Sequence, residues 1–176
     1  LMQFIDLAKQ QLKIRSRIEG RIENVLNSGQ YIMGQEVFDL EEKLSKYVGI
    51  SHCITCSSGT DALLMALMSQ NIGEGDAILT TPFTYIATAE VIKLLGATPI
   101  FVDICSKTFN INSDLIQEAI NFSNEKGLKA KAIIPVDIFG LPANYEMIEK
   151  IADKNNLFVL EDAAQSFGSK YDEKRV

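Results

Sequence analysis

The chain alternates short apolar runs with longer segments whose apolar residues recur at helical spacing, and few architectures accept that rhythm. The runs 77–80, 99–102, 132–136 and 157–160 have the length and composition of buried strands, as does 52–56. Between and before them lie helical patterns at 9–26, 35–48, 61–70, 84–95, 113–122 and 145–154. The first carries Leu12, Ile14, Ile18, Ile22, Val25 and Leu26 and stops at Asn27-Ser28-Gly29; the second carries Val37, Leu40, Leu44 and Val48 and stops at Gly49. Asn112 or Ser113 is suited to cap the helix over 113–122. Segment 61–70 is apolar nearly all round, which predicts a buried helix. Segment 123–131 is polar and reads as a surface loop, and the charged residues 170–176 predict no further element.

Apolar strands alternating with helices imply an α/β fold with a mostly parallel sheet flanked by helices on both faces. With 176 residues, 47% of them hydrophobic, the chain has enough apolar surface for one ordinary domain. The net charge of −6 argues against a nucleic-acid groove. No apolar run approaches the length of a membrane span. Residues 1–15 alternate apolar and charged side chains without the core of a leader peptide, so a cytoplasmic protein is expected. Cys53 and Cys56 have the spacing of a redox or zinc pair, yet no second cysteine pair accompanies them and His52 is the lone histidine. Together with Cys105 they are expected to be small core residues, and no metal site is predicted.

In open parallel sheets ligands gather at the carboxyl ends of strands. The end of 52–56 continues as Ser57-Ser58-Gly59-Thr60-Asp61, a glycine flanked by hydroxyls at a helix mouth. Such a cup can hold an anion on backbone N–H groups and the helix dipole. An ordinary helix cap uses the same residues. The end of 77–80 continues into Phe83 and Tyr85, either of which could cover a planar ring or pack in the core. The last strand ends on Glu161-Asp162, with Gln165 just beyond. A carboxylate there requires a partner: a protonated pyridine nitrogen, a magnesium ion or a helix start. A phosphate cup, a stacking aromatic and a carboxylate on three strand ends of one sheet together describe a pocket for pyridoxal 5'-phosphate (PLP).

The segments Ser58-Gly59-Thr60-Asp61-Ala62-Leu63, Pro82-Phe83-Thr84-Tyr85-Ile86-Ala87-Thr88 and Glu161-Asp162-Ala163-Ala164-Gln165 resemble the DegT/DnrJ/EryC1/StrS family of sugar aminotransferases. So do Phe4-Ile5-Asp6-Leu7, Gly29 to Gly34 and Pro135-Val136-Asp137-Ile138-Phe139-Gly140. Within that family residues 3–7, 29–34 and 52–56 look closest to UDP-2-acetamido-2-deoxy-hexuluronate 3-aminotransferases. The resemblance implies a PLP-dependent transferase of fold type I, with residues 1–176 forming the amino-terminal portion of its large, cofactor-binding domain. It implies that Ser58, Gly59 and Thr60 bind the cofactor phosphate, that Tyr85 stacks on the pyridine ring with Phe83 behind it, and that Asp162 pairs with the ring nitrogen. Gln165 would face the ring oxygen, and Gly29 and Tyr31 would touch the nucleotide sugar; Tyr31 could equally be a loop aromatic. Asp137 stands where many relatives carry histidine and receives no role.

The implied reaction moves an amino group from glutamate to a keto group of a UDP-sugar, in a cytoplasmic homodimer serving bacterial O-antigen and related surface-glycan synthesis. The family's Schiff-base lysine is expected beyond Val176, and the small carboxyl-terminal domain with it. Lys170 and Lys174 read as solvated surface residues. The chain alone is therefore expected to carry no catalytic residue and to be inactive. A sugar dehydratase of the same family, with histidine in place of the lysine, is one alternative; a non-catalytic binding module is another.

Overall fold

In the computed structural model residues 4–175 are described; the first three residues of the amino-terminal stretch and Val176 lie outside them. The chain divides into two compact units, one up to Thr55 and one from Cys56.

The first unit holds α1 (Leu7–Ser28) and α2 (Gln35–Val48). The Asp6 side chain caps α1 by accepting from the Lys9 N–H at 2.9 Å. Gly29 ends α1 at φ 67°, a left-handed conformation in which its N–H reaches the Val25 carbonyl. Arg21 on α1 pairs with Glu36 on α2 at 3.1 Å. The predicted buried strand over 52–56 does not form. The Thr55 N–H and hydroxyl both donate to the Glu41 carboxylate, at 2.8 and 2.9 Å, in place of a sheet partner. Ile54 is 84% exposed. Cys56 is exposed, and Cys53 and Cys105 are only partly covered, so the cysteines are not core residues; all three are free thiols.

The second unit is the predicted α/β sandwich. Its elements run α3 (Gly59–Ser69), β1 (Asp76–Thr80), α4 (Ala87–Leu94), β2 (Thr98–Phe101), α5 (Ile116–Glu125), β3 (Lys129–Ile134), α6 (Tyr145–Asn155) and β4 (Phe158–Val159). The four strands are parallel in the order β2-β1-β3-β4. Alternation along the central strands divides the core into two layers. Ala77, Leu79 and Ile133 face Ile116 and Ile120 of α5 and Ile148 of α6. Ile78, Ala132 and Ile134 face Leu63 and Leu67 of α3 and Val91 and Ile92 of α4.

Three local expectations change. Helix α3 buries Leu63 and Leu67 but leaves Met65 and Met68 about half exposed, because a helix against one sheet face covers one side only. Segment 123–131 is no loop: α5 runs to Glu125, Gly127 turns the chain at φ 73°, and β3 starts at Lys129. Residues 170–175 form a small antiparallel hairpin, β5 (Lys170–Tyr171) and β6 (Lys174–Arg175). Asp172 and Glu173 turn it at φ 46° and 63°, and Tyr171 packs edge-on against Tyr145 at 5.6 Å. The Lys170 side chain is 56% exposed beside Glu173.

Candidate active site

The strand order reverses between β1 and β3, so the loops that leave their carboxyl ends diverge and open a crevice. Beyond β4 the ladder continues as a bridge between Val136 and Asp162. The Asp162 N–H donates to the Pro135 carbonyl at 2.9 Å, and the Asp137 N–H donates to the Asp162 carbonyl at 3.1 Å. These bonds place the Asp162 side chain at the crevice edge, partly buried. One carboxylate oxygen accepts from the Thr88 hydroxyl at 2.9 Å and the other from the Ala164 N–H at 3.3 Å. Thr88 is itself buried, and its hydroxyl meets that of Thr84 at 3.1 Å. A Thr84–Thr88–Asp162 chain thus joins the start of α4 to the tip of β4. Among the described residues a turn and not a helix follows Asp162, so its carboxylate caps no helix there.

Gln165 lies on the same turn. Its side-chain oxygen accepts from the Phe139 N–H at 3.2 Å, which fixes the amide plane and leaves the NH₂ group as the outward donor. Tyr85 is 73% exposed and Phe83 42%, so neither belongs to the core. The ring neighbours of Phe83 are Phe109 and Phe139, at 5.8 and 6.1 Å. Phe109 and Phe139 both hold left-handed backbone, φ 64° and 57°, a strained setting for aromatic residues.

At the mouth of α3 the Ser58 hydroxyl accepts from the Asp61 N–H at 3.1 Å, which makes Ser58 the helix cap. Ser57 and Ser58 both donate to the Asp61 carboxylate and hold its pKa below the usual value. The capping reading is therefore correct for Ser58, whose hydroxyl is engaged within the chain. The N–H groups of Gly59 and Thr60 remain without a partner among the described residues. A Cβ placed on Gly59 would meet no atom within 4 Å, so the mouth is open. Two free amides at a helix start, with open space before them, suit a phosphate. Helix α3 packs beside α4, which carries Thr88.

Gly29 and Tyr31 belong to the first unit. Gly29 is explained by its helix-ending conformation. Tyr31 is 67% exposed and lines an open concavity with Ile18, Arg21 and Ile22. No described helix is long and apolar enough to cross a membrane.

Sequence reasoning missed a cluster behind the β4 tip. Asp137 is 1% exposed and accepts from the Ala143 N–H and the Tyr145 hydroxyl, each at 2.8 Å, and from the Ser166 hydroxyl at 3.0 Å. Glu161 keeps much of its surface in solvent, yet its carboxyl faces this cluster. Burial, and then the Asp137 carboxylate, push its pKa up to about 7. Burial and the two carboxylates also raise the Tyr145 phenol. The recess that Glu161 borders carries Glu146, Glu149, Asp172, Lys174 and Arg175 as well.

A folded pKa above the unfolded value of 4.5 means that folding takes up a proton at Glu161. The resulting stability is full below the unfolded value and is lost as pH rises through about 7. Solvent screening holds the effect to about 1 kcal/mol, or roughly 2–4 °C in Tm. Thermal melts at pH 5 and pH 8 should show that fall for the native protein and not for Glu161→Gln; equal slopes would refute it.

The chain is similar to known proteins along almost its whole length. The profile of the DegT/DnrJ/EryC1/StrS aminotransferase family matches residues 12–176. A UDP-2-acetamido-2-deoxy-3-oxo-D-glucuronate aminotransferase of Pseudomonas aeruginosa is 46% identical over 175 residues, covering 99% of this chain and 47% of the relative. The crystal structure of a DegT DnrJ EryC1 StrS aminotransferase from Brucella abortus superposes with a TM-score of 0.96 at 47% identity, over 99% of this chain and 47% of that one. NtdA from Bacillus subtilis, solved with its bound cofactor PMP, gives a TM-score of 0.82 at 32% identity, over 89% of this chain and 34% of its own. The chain thus spans about half the length of the curated relatives it matches. It belongs to the DegT/DnrJ/EryC1/StrS aminotransferase family.

Proposed function

We propose that this chain is the cofactor-binding part of a PLP-dependent aminotransferase that converts a keto group of a UDP-sugar into an amine. The observation that carries the reading is the directed carboxylate of Asp162, oriented by buried Thr88 at the tip of a parallel strand, with the Gln165 amide on the same turn. When bound, PLP supplies an electron sink for the bond changes at the amino-bearing carbon. Asp162 holds the proton on the pyridine nitrogen. The Gln165 NH₂ donates to the ring oxygen. The Gly59 and Thr60 N–H groups hold the phosphate, and the Ser58 hydroxyl joins them by turning away from Asp61. Tyr85 covers one face of the ring, while Gly29 and Tyr31 meet the nucleotide sugar.

The UDP-sugar assignment rests on the likeness to the Pseudomonas aeruginosa enzyme. Glutamate as donor, a cytoplasmic homodimer and a place in O-antigen and related surface-glycan synthesis complete the proposal. The test incubates the full-length protein with PLP, glutamate and UDP-2-acetamido-2-deoxy-3-oxo-glucuronate. The expected result is 2-oxoglutarate and the aminated UDP-sugar in equal amounts by mass spectrometry. A dehydrated sugar, or a PLP-loaded protein forming neither product, would overturn it.

A further inference from the structure

We infer that Asp137 is a positioning residue: its backbone and its carboxylate together clamp both ends of the turn that carries Asp162 and Gln165. This rests on the functional reading above. At the near end, the Asp137 N–H donates to the Asp162 carbonyl at 3.1 Å. At the far end, the Ser166 hydroxyl donates to the Asp137 carboxylate at 3.0 Å. The turn between closes on itself through the Ser166 N–H, which reaches the Ala163 carbonyl at 3.0 Å.

The segment that follows Asp137 adds two further ties to this turn. The Phe139 N–H holds the Gln165 side chain, and Gly140 runs so close that a Cβ there would lie 3.2 Å from the Gln165 carbonyl. Gly140 also sits at φ 83°, a left-handed backbone that strains any other residue, and the close approach adds to the preference for glycine.

The clamp uses both oxygens of a carboxylate. One Asp137 oxygen is taken by the Ala143 N–H and the Tyr145 hydroxyl, which leaves the other for Ser166. A neutral amide offers a single acceptor oxygen, so it must turn its NH₂ to Ser166, which reverses that bond and removes its charge assistance. Burying a charge is costly, and here three donors offset that cost beneath the turn bearing the two proposed ring contacts. Glu161 and Tyr145 face the same carboxylate, so four polar side chains from three segments meet behind one turn.

The test uses the full-length protein and PLP as the probe. Ser166→Ala removes one tie and leaves the other two donors on Asp137; Asp137→Asn takes the charge from all three side-chain bonds and leaves the backbone bond to Asp162 in place. Ser166→Thr keeps the hydroxyl and serves as the conservative rescue. The expected result is a PLP dissociation constant raised about tenfold in Ser166→Ala and more in Asp137→Asn, as for other groups that act through a ligand-binding residue. The pH midpoint of the visible PLP absorbance band should move in both, kcat should fall with little change in the sugar KM, and Ser166→Thr should restore both readouts. If both variants lower the Tm of the cofactor-free protein while PLP affinity and the absorbance titration stay native, the clamp is merely structural and the inference fails alone. If the unsubstituted protein binds no PLP, the functional reading fails, and the inference falls with it.

Discussion

Asp162→Ala in the full-length protein is expected to lower kcat by about a hundred- to a thousand-fold, the scale on which a preorganised electrostatic contact acts in catalysis. The carboxylate is the one proposed contact with the ring nitrogen, and the surrounding fold does nothing else with it: its donors Thr88 and Ala164 orient it without neutralising its charge. Asp162→Asn keeps the shape and a Thr88 acceptor but removes the charge, so its kcat should fall close to that of the alanine variant. Thr88→Val keeps the charge and removes only the orienting hydroxyl, so it should lie between these variants and the native enzyme. The Tm should change little in Asp162→Asn, because the backbone bonds at Pro135 and Asp137 that hold the strand tip do not involve the side chain. Steady-state rates with PLP in excess separate a slow site from an empty one. An asparagine variant within tenfold of native kcat would remove Asp162 from the ring nitrogen and with it the main support for the proposed reaction.

Asp162 was legible in the sequence because an acidic residue at the tip of an apolar strand is conspicuous and needs a partner. Its orienting group was not: Thr88 lies 74 residues earlier, and nothing local distinguishes it from Thr84 or Thr81. Asp137 shows the same limit. In the sequence it stands only as a departure from the histidine of many relatives, with no role; its donors Tyr145 and Ser166 lie 8 and 29 residues on and come together only when α6 and the β4 tip fold over it. The glycine stops of α1 and α2 are local signals: α2 matches the predicted 35–48, and α1 runs about two residues past each end of the predicted 9–26. Two of the misreadings share one cause. Apolar composition at 52–56 and in α3 shows what a segment could bury against, while its actual burial depends on which neighbour arrives. The hairpin over 170–175 depends on two non-glycine residues entering left-handed backbone, which charge patterning does not announce.

The same dependence on neighbours sets the largest stability effect. Ile133→Ala is expected to destabilise the protein by about 4 kcal/mol, since an isoleucine truncated in a packed core loses both its transfer energy and the cavity it leaves. Ile133 is fully buried in β3, which pairs with β1 on one side and β4 on the other, and it packs in the layer covered by α5 and α6. Neither helix can settle into the gap without disturbing its packing on Ala77 and Leu79 of the neighbouring strand, so the cavity should persist. Met65→Ala removes a comparable volume from the half-exposed side of α3 and should cost under about 0.5 kcal/mol. In thermal melts the first variant should lose on the order of 10 °C and the second almost nothing. A small loss in Ile133→Ala would mean that the α5–α6 layer can collapse onto the sheet. That layer includes Tyr145, which bonds Asp137, so collapse there would also have to move the clamp behind Asp162. PLP affinity measured well below the melting temperature separates the outcomes: unchanged if the cavity stays open, weakened if the layer shifts.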